Sequence, residues 1–271
     1  MKTLLIALGA AVVVFYVHSP VVADILFVPS DFATIQEAMN AAADDDTILV
    51  ADGTYSGPGN TNLNIGGKSF ILRSENGATL CIIDCEGEGR GFSFSGPGTP
   101  ILDGFTITNG SAEWGGALYC DIGSSPIIRN CRVIGSDSYL GGGLCVNESS
   151  AIVSGCEFSE NISNLHGGAI YCLNAEATIE NCVISGNRAY AGGGGLLSFT
   201  SSTIIANSIF EGNIAQDYGG GICANHSTLM ARNCTVGDND GSQSGGGIDI
   251  YDTAASLIDS IVWGNSAWTG A

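Results

Sequence analysis

Basic residues are scarce. The 271-residue chain has 8 Lys and Arg against 27 Asp and Glu, a formal charge of −19. So acidic a surface repels nucleic acid and anionic lipid, and it offers no basic patch to either. It also repels polyanionic substrates unless calcium bridges the two. Histidine is nearly absent, with 3 scattered residues, and no Cys-x2-Cys pair occurs, which removes the usual zinc frameworks. Long apolar runs are missing except Leu4 to Val17, shorter than the roughly 18 residues a membrane-spanning helix requires. That run follows Lys2 and precedes His18, Ser19, Pro20 and Val21-Val22-Ala23, the layout of a secretory signal peptide cut after Ala23. Residues 1–23 are therefore expected to be a leader, and residues 24–271 a single domain of charge −20, secreted or at the cell surface and not inserted in a membrane.

Glycine is abundant, at 40 residues, and its placement is periodic. Gly-Gly stands at 115–116, 141–142, 167–168, 193–194, 219–220 and 245–246, each step being 26 residues. A second column runs Ile128, Val153, Ile179, Ile205, Ala231, Leu257, and it is followed by Asn130, Gly155, Asn181, Asn207, Asn233, Asp259. Next come Cys131, Cys156, Cys182, Ser208, Cys234, Ser260, and two places on Val133, Phe158, Ile184, Phe210, Val236, Val262. Alternation with period two marks half-buried strands, and Asn or Gly between them marks a bend that tolerates left-handed backbone. Asn on Asn at that bend predicts a side-chain amide ladder. A further column, Asn161, Asn187, Asn213, Asn239 and Asn265, closes the third side.

The rung therefore reads as three short strands and three turns. Rungs stack about 4.8 Å apart into an all-β solenoid, a right-handed parallel β-helix. A leucine-rich repeat would need a helical return segment, and here the return is Gly, Asn and Ser. A calcium-binding β-roll would need a nine-residue Gly/Asp repeat, which Gly245-Gly246-Gly247-Ile248-Asp249 echoes once.

Residues 24–110 read as less regular rungs, with strands at Thr47–Val50, Ser69–Leu72, Thr79–Ile83, Phe92–Phe94 and Ile101–Ile107. Gly104 is expected in the bend column. Ile35, Ala38, Met39 and Ala42 follow helical spacing, which predicts a capping helix with Ser30 or Asp31 as its N-cap. Regular rungs occupy residues 111–265. No matching cap is legible after Trp263, and the chain is expected to be a piece of something longer.

At this point the residues resemble a known group. Val28-Pro29-Ser30-Asp31-Phe32-Ala33-Thr34-Ile35-Gln36-Glu37-Ala38, then Asp46-Thr47-Ile48-Leu49-Val50-Ala51-Asp52-Gly53-Thr54-Tyr55, looks like the start of pectin-lyase-like β-helix proteins. The stretches Ile83-Asp84-Cys85 to Arg90-Gly91-Phe92 and Leu102 to Gly110 are similar to bacterial exported right-handed β-helix repeat proteins. The Gly-Gly rungs also resemble polymorphic outer-membrane-protein repeats. The resemblance implies the fold and a carbohydrate ligand, and it carries no catalytic residues with it. The Gln and paired Asp motifs of pectin methylesterases have no counterpart here. Of the polygalacturonase blocks, only His166-Gly167 matches, inside the glycine repeat.

Three sets of residues stand out. Trp114, Tyr139 and Tyr218 lie just before Gly-Gly turns, where rings on one edge could stack on sugar faces. Asp217, Asp238, Asp240 and Asp249 share neighbouring loops and form a weak calcium candidate; no other cofactor is implied. Ten cysteines include Cys81 and Cys85 before the regular rungs. The other eight fall as Cys120 with Cys131, Cys145 with Cys156, Cys172 with Cys182 and Cys223 with Cys234. Co-occurrence within a rung predicts disulfides, with a column of buried thiols as the alternative. The expected function is binding or adhesion to a polysaccharide or cell-surface glycan, as a monomer or as part of a longer chain. A polysaccharide lyase or glycoside hydrolase and a structural stalk are the alternatives.

Overall fold

The computed structural model describes residues 2–8, 11–17 and 23–267. The period returns each residue above its equivalent. Ala151 pairs with Ala177, Ala177 with Thr203, Thr203 with Leu229 and Leu229 with Ala255, all in parallel register. Four parallel sheets result, named here in the order they are met. Sheet I has ten strands, from Ile25–Val28 to Ala254–Ile258, and sheet II has nine, from Gly53–Tyr55 to Ile261–Trp263. Sheet III has six, from Ser111–Trp114 to Asp240–Gly241, and sheet IV has eight, from Leu63–Asn64 to Ile248–Tyr251.

One rung shows the path: Leu144–Asn147 in sheet IV, Ser150–Ser154 in sheet I, Glu157–Ser159 in sheet II and Ile162–His166 in sheet III. The regular rung is thus four-sided, where three sides were expected. Sheet III was hidden because its strands are short and mostly polar. Their backbone groups nevertheless pair rung to rung, as at Ile162 with Arg188 and Arg188 with Ile214.

Alternate side chains point inward and form one continuous core. Phe70, Phe92, Phe94, Phe105, Phe158 and Phe210 are among its largest fully buried members. Each such side chain contributes about 1.5–3 kcal/mol by leaving water. The end bearing the last rung is less covered. Leu257 and Val262, stacked on buried Ala231 and Val236, are each 47% exposed.

Polar groups enter this core mainly in ladders; Ser198 and Thr203, whose hydroxyls bond to each other at 2.9 Å, are an exception. Asn161, Asn187, Asn213 and Asn239 are buried, and each Nδ2 donates to the Oδ1 of the next rung's Asn at 2.9–3.0 Å. The same Oδ1 accepts the backbone N–H of the preceding rung's Asn, so no amide is left unsatisfied. At the other bend, Asn130, Asn181, Asn207 and Asn233 have φ near +50°, as the sequence predicted, and Gly104 does take the equivalent place. There Asn233 Nδ2 donates to Asn207 Oδ1 at 2.8 Å.

The cysteines form columns rather than bridges. All ten are free and buried. Cys131, Cys156, Cys182 and Cys234 each donate from Sγ to the carbonyl two residues earlier, at 3.1–3.4 Å. Ser208 and Ser260 do the same from Oγ at 2.8 Å. The next side chain down also accepts a backbone N–H: Cys131 N–H points to Cys156 Sγ, and Cys182 N–H to Ser208 Oγ. Cys145 and Cys223 face outward from sheet IV, away from Cys156 and Cys234 inside. Cys120 and Cys172 stack with Val146 and Ser198 on the inner face of sheet IV. The expected within-rung disulfides Cys120–Cys131, Cys145–Cys156, Cys172–Cys182 and Cys223–Cys234 are therefore not formed. Cys81 and Cys85 are free as well.

The helix spans Ile35–Ala41 and starts later than expected. Thr34 is the N-cap, in a capping box with Glu37. The Asp31 carboxylate instead accepts the Phe27 N–H and closes a turn. Ile35, Ala38 and Met39 bury against the first rung. The helix C-terminus is capped from the next rung: Lys68 Nζ donates to the carbonyls of Met39, Asn40 and Ala42 at 2.8–2.9 Å. Residues 2–8 and 11–17, within the expected leader, pair as an antiparallel hairpin separate from the four sheets. His18 to Val22, beside the expected cleavage site, and Trp268 to Ala271 lie outside the described residues.

Candidate functional site

The Gly-Gly turn builds the surface that matters. The first glycine has φ of +55° to +70°. The second has its neighbouring rung's carbonyl where a side chain would begin, so a Cβ on Gly142 would run into the Gly168 oxygen. This tight reversal folds the residue before the pair over the outer face of the sheet IV strand that follows.

Two columns therefore face each other along the solenoid. One holds Trp114, Leu140, His166, Gly192, Tyr218 and Ser244; the other holds Tyr119, Cys145, Tyr171, Leu197, Cys223 and Asp249. Within rungs, Trp114 meets Tyr119 edge-on at 6.3 Å and His166 stacks on Tyr171 at 6.2 Å. Ser244 Oγ donates to Asp249 Oδ2 at 2.8 Å. The middle of this ridge is a small apolar cluster of Leu140, Cys145, Tyr171, Leu197 and Cys223, with half-buried Trp114, Tyr119 and Tyr218 against it.

The ends of the ridge are polar and aromatic. Near Trp114, the Arg90 guanidinium sits 4.8 Å over the Tyr119 ring, and Tyr119 Oη donates to Asp121 at 3.1 Å. Burial pushes the Tyr119 hydroxyl up to about 12. At the other end the Tyr218 ring lies across Gly192, in space that any larger residue there would fill. It flanks His166 at 6.5 Å. His166 Nδ1 accepts the Gly192 N–H at 3.3 Å, which leaves its proton on Nε2. Burial lowers the His166 pKa against an opposing pull from Asp217, so the ring is a neutral donor at neutral pH. Gln243 Nε2 donates to Asp217 Oδ1 at 2.6 Å. Burial also raises the Tyr218 hydroxyl, helped by Cys223, Asp217 and Asp249.

Tyr218, Asp217 and Asp249 are thus brought together, although the sequence placed them in two separate sets. Trp114 shares the ridge four rungs away, roughly 19 Å along the axis. Tyr139 does not share it: it is 50% exposed, on the opposite face of its strand from Leu140. The calcium set is dispersed. Asp238 sits at a bend with φ +53° and Asp240 in a sheet III strand, while Asp217 and Asp249 are engaged on the ridge. Among the described residues, no three His, Cys, Asp or Glu side chains converge to hold a metal ion. Basic side chains serve the wall: Arg129 pairs with Asp103 and Arg132 with Glu157, each at 2.9 Å. His166 and the outward column of sheet IV were missed from sequence. Their only signal was that Cys145 and Cys223 fall one place off the Cys120–Cys172 register.

Among the described residues, no helix is long and apolar enough to cross a membrane. No curated protein matches the sequence. Residues 138–270 match the family described as right handed beta helix region. Among solved structures, a pectin methylesterase in complex with a hexasaccharide is similar at 14% identity, with 90% of each chain covered and a TM-score of 0.57. A variant of pectin methylesterase with a bound hexasaccharide is similar at 13% identity, 90% of each chain and a TM-score of 0.56. These are likenesses of fold, and the chain is a right-handed parallel β-helix protein of the pectin-lyase-like fold.

Proposed function

We propose that this chain is a secreted or cell-surface protein that binds carbohydrate, without turnover, on the ridge centred on Tyr218. The observation that carries the reading is the Tyr218 ring held across Gly192 beside the neutral His166 donor, with Asp217, Gln243, Ser244 and Asp249 around it. A half-exposed ring offers an apolar platform to the C–H face of a pyranose. Carboxylates and an amide at its rim accept and donate to sugar hydroxyls, and charge-assisted bonds of this kind are the stronger ones. The resemblance to pectin-active enzymes supports carbohydrate as the ligand class. The leader-like N-terminus supports export.

The test is binding of neutral oligosaccharides to the parent, to Tyr218→Ala and to Tyr218→Phe. Losing the ring is expected to weaken binding by about tenfold, equivalent to ~1.4 kcal/mol. Losing only the hydroxyl is expected to cost about threefold. Unchanged affinity in Tyr218→Ala, or no binding by the parent, contradicts the proposal.

A further inference from the structure

The bend between sheets I and II holds an arrangement that the wall does not require. Its column reads Cys81, Phe105, Cys131, Cys156, Cys182, Ser208, Cys234 and Ser260, one residue per rung. Serine serves here as well as cysteine, so the fold makes no demand for thiols in succession. Yet Cys131, Cys156 and Cys182 stand on consecutive rungs, and among the described residues no other cysteines do. Cys234 lies between two serines, Val146 separates Cys120 from Cys172, and Tyr171 and Leu197 separate Cys145 from Cys223. The Cys156 thiol shares hydrogen bonds with those of Cys131 and Cys182.

Neighbouring strands stand about 4.8 Å apart, inside the roughly 4.4–6.8 Å between Cα atoms that a disulfide spans. The two steps are not equal. Cys131 to Cys156 is a 25-residue rung across which sheet I pairs over three residues, Ile127–Arg129 with Ile152–Ser154. Cys156 to Cys182 keeps the regular period. There Ser150–Ser154 pairs with Glu176–Glu180 and Glu157–Ser159 with Val183–Ser185, in unbroken register on both sides of the bend. Hydrogen bonds from the Cys156 thiol and from the backbone also hold Cys182 below the ordinary thiol value, which favours its thiolate. We infer that Cys156 and Cys182 close a disulfide between adjacent rungs as the exported chain folds, leaving Cys131 a thiol. The oxidant is a low-molecular-weight disulfide, acting after these rungs pair and before the core closes over them, since both thiols are buried in the finished fold. The Cys182 thiolate attacks one sulfur of the oxidant and releases one small thiol; Cys156 then attacks the mixed disulfide at Cys182 and releases the second. The two protein protons pass to the two released thiols, and two electrons pass from protein to oxidant. The link staples one rung to the next and needs no ligand on the ridge.

The experiment refolds the full chain from urea with reduced and oxidised glutathione, alkylates the remaining thiols and maps the peptides without reduction. One cross-linked peptide pair is expected, joining Cys156 to Cys182, with Cys131 alkylated. In urea unfolding without reductant, the midpoint is expected to lie above that measured with dithiothreitol. Cys131→Ser is expected to keep both the link and this shift, whereas Cys156→Ser is expected to lose both. Both variants are expected to fold, because Ser208 already fills this column, and with dithiothreitol both are expected to unfold close to the parental midpoint. Free Cys156 and Cys182 in the refolded parent, a link from Cys156 to any other cysteine, or a midpoint shift that persists in Cys156→Ser overturns the inference.

Discussion

Two columns of the same rung obey the same 26-residue period and follow opposite rules. The bend column reads Cys131, Cys156, Cys182, Ser208, Cys234, Ser260, and the ridge column reads Trp114, Leu140, His166, Gly192, Tyr218, Ser244. In the bend column every side chain donates to a carbonyl two residues back, and those at Cys156, Ser208 and Ser260 accept an N–H from the rung before. From residue 131 on, Cys or Ser fills that position, a short side chain that can both donate and accept; one rung earlier the buried Phe105 stands there instead. In the ridge column the side chain lies outside the wall, and across its rungs it ranges from Trp114 to Gly192; His166 Nδ1 does accept the Gly192 N–H, but that bond recurs in no other rung described. Its identity is free to change from rung to rung. Columns that the backbone constrains build the solenoid; a column that it leaves free is where recognition chemistry can be written.

The comparison breaks most severely if a buried polar column proves dispensable. Asn213 accepts the Asn187 N–H and Nδ2, and its own Nδ2 donates to the Ile184 carbonyl and to Asn239. Asn213→Ala orphans several buried groups. It is expected to lower stability by about 3 kcal/mol or more in urea unfolding. Next is the bend column itself. Cys156→Ala leaves the Cys131 N–H without its acceptor and is expected to cost about 1–3 kcal/mol. Cys156→Ser keeps both bonds and is expected to cost less than about 1 kcal/mol. Equal costs for the two would mean that the thiol acts by volume alone.

The smallest effect concerns His166. Burial holds its folded pKa below its ordinary 6.5, so the unfolded chain takes up the proton first. Stability from this site is complete above pH 6.5 and declines as pH falls from there toward the lowered folded value. His166→Gln is expected to flatten that part of the urea-midpoint profile between pH 7.5 and 5.5.

These contrasts also explain what the sequence made legible. The Gly-Gly positions could be read because a Cβ there collides with backbone, which leaves only glycine. The strand at Phe92–Phe94 and the inward columns could be read because burial enforces alternation. Sheet III could not, since two-residue polar strands such as Arg188–Ala189 leave no hydrophobic trace. The cysteines were misread for a related reason: their recurrence in pairs looked covalent, although a thiol there is the equivalent of a serine. Tyr218 was visible as an exposed ring near a turn. Its partnership with His166 and Asp217 was not, because it depends on the chain folding back over sheet IV and on Gly192 leaving room.

The central claim is that the ridge column recognises ligand while the bend column only holds the wall. The most direct measurement is titration of one neutral oligosaccharide into Tyr218→Ala and Cys156→Ser side by side. The account predicts a loss of about tenfold in the first and parental affinity in the second. Equal affinity in both variants, or a loss in Cys156→Ser as large as that in Tyr218→Ala, would contradict it.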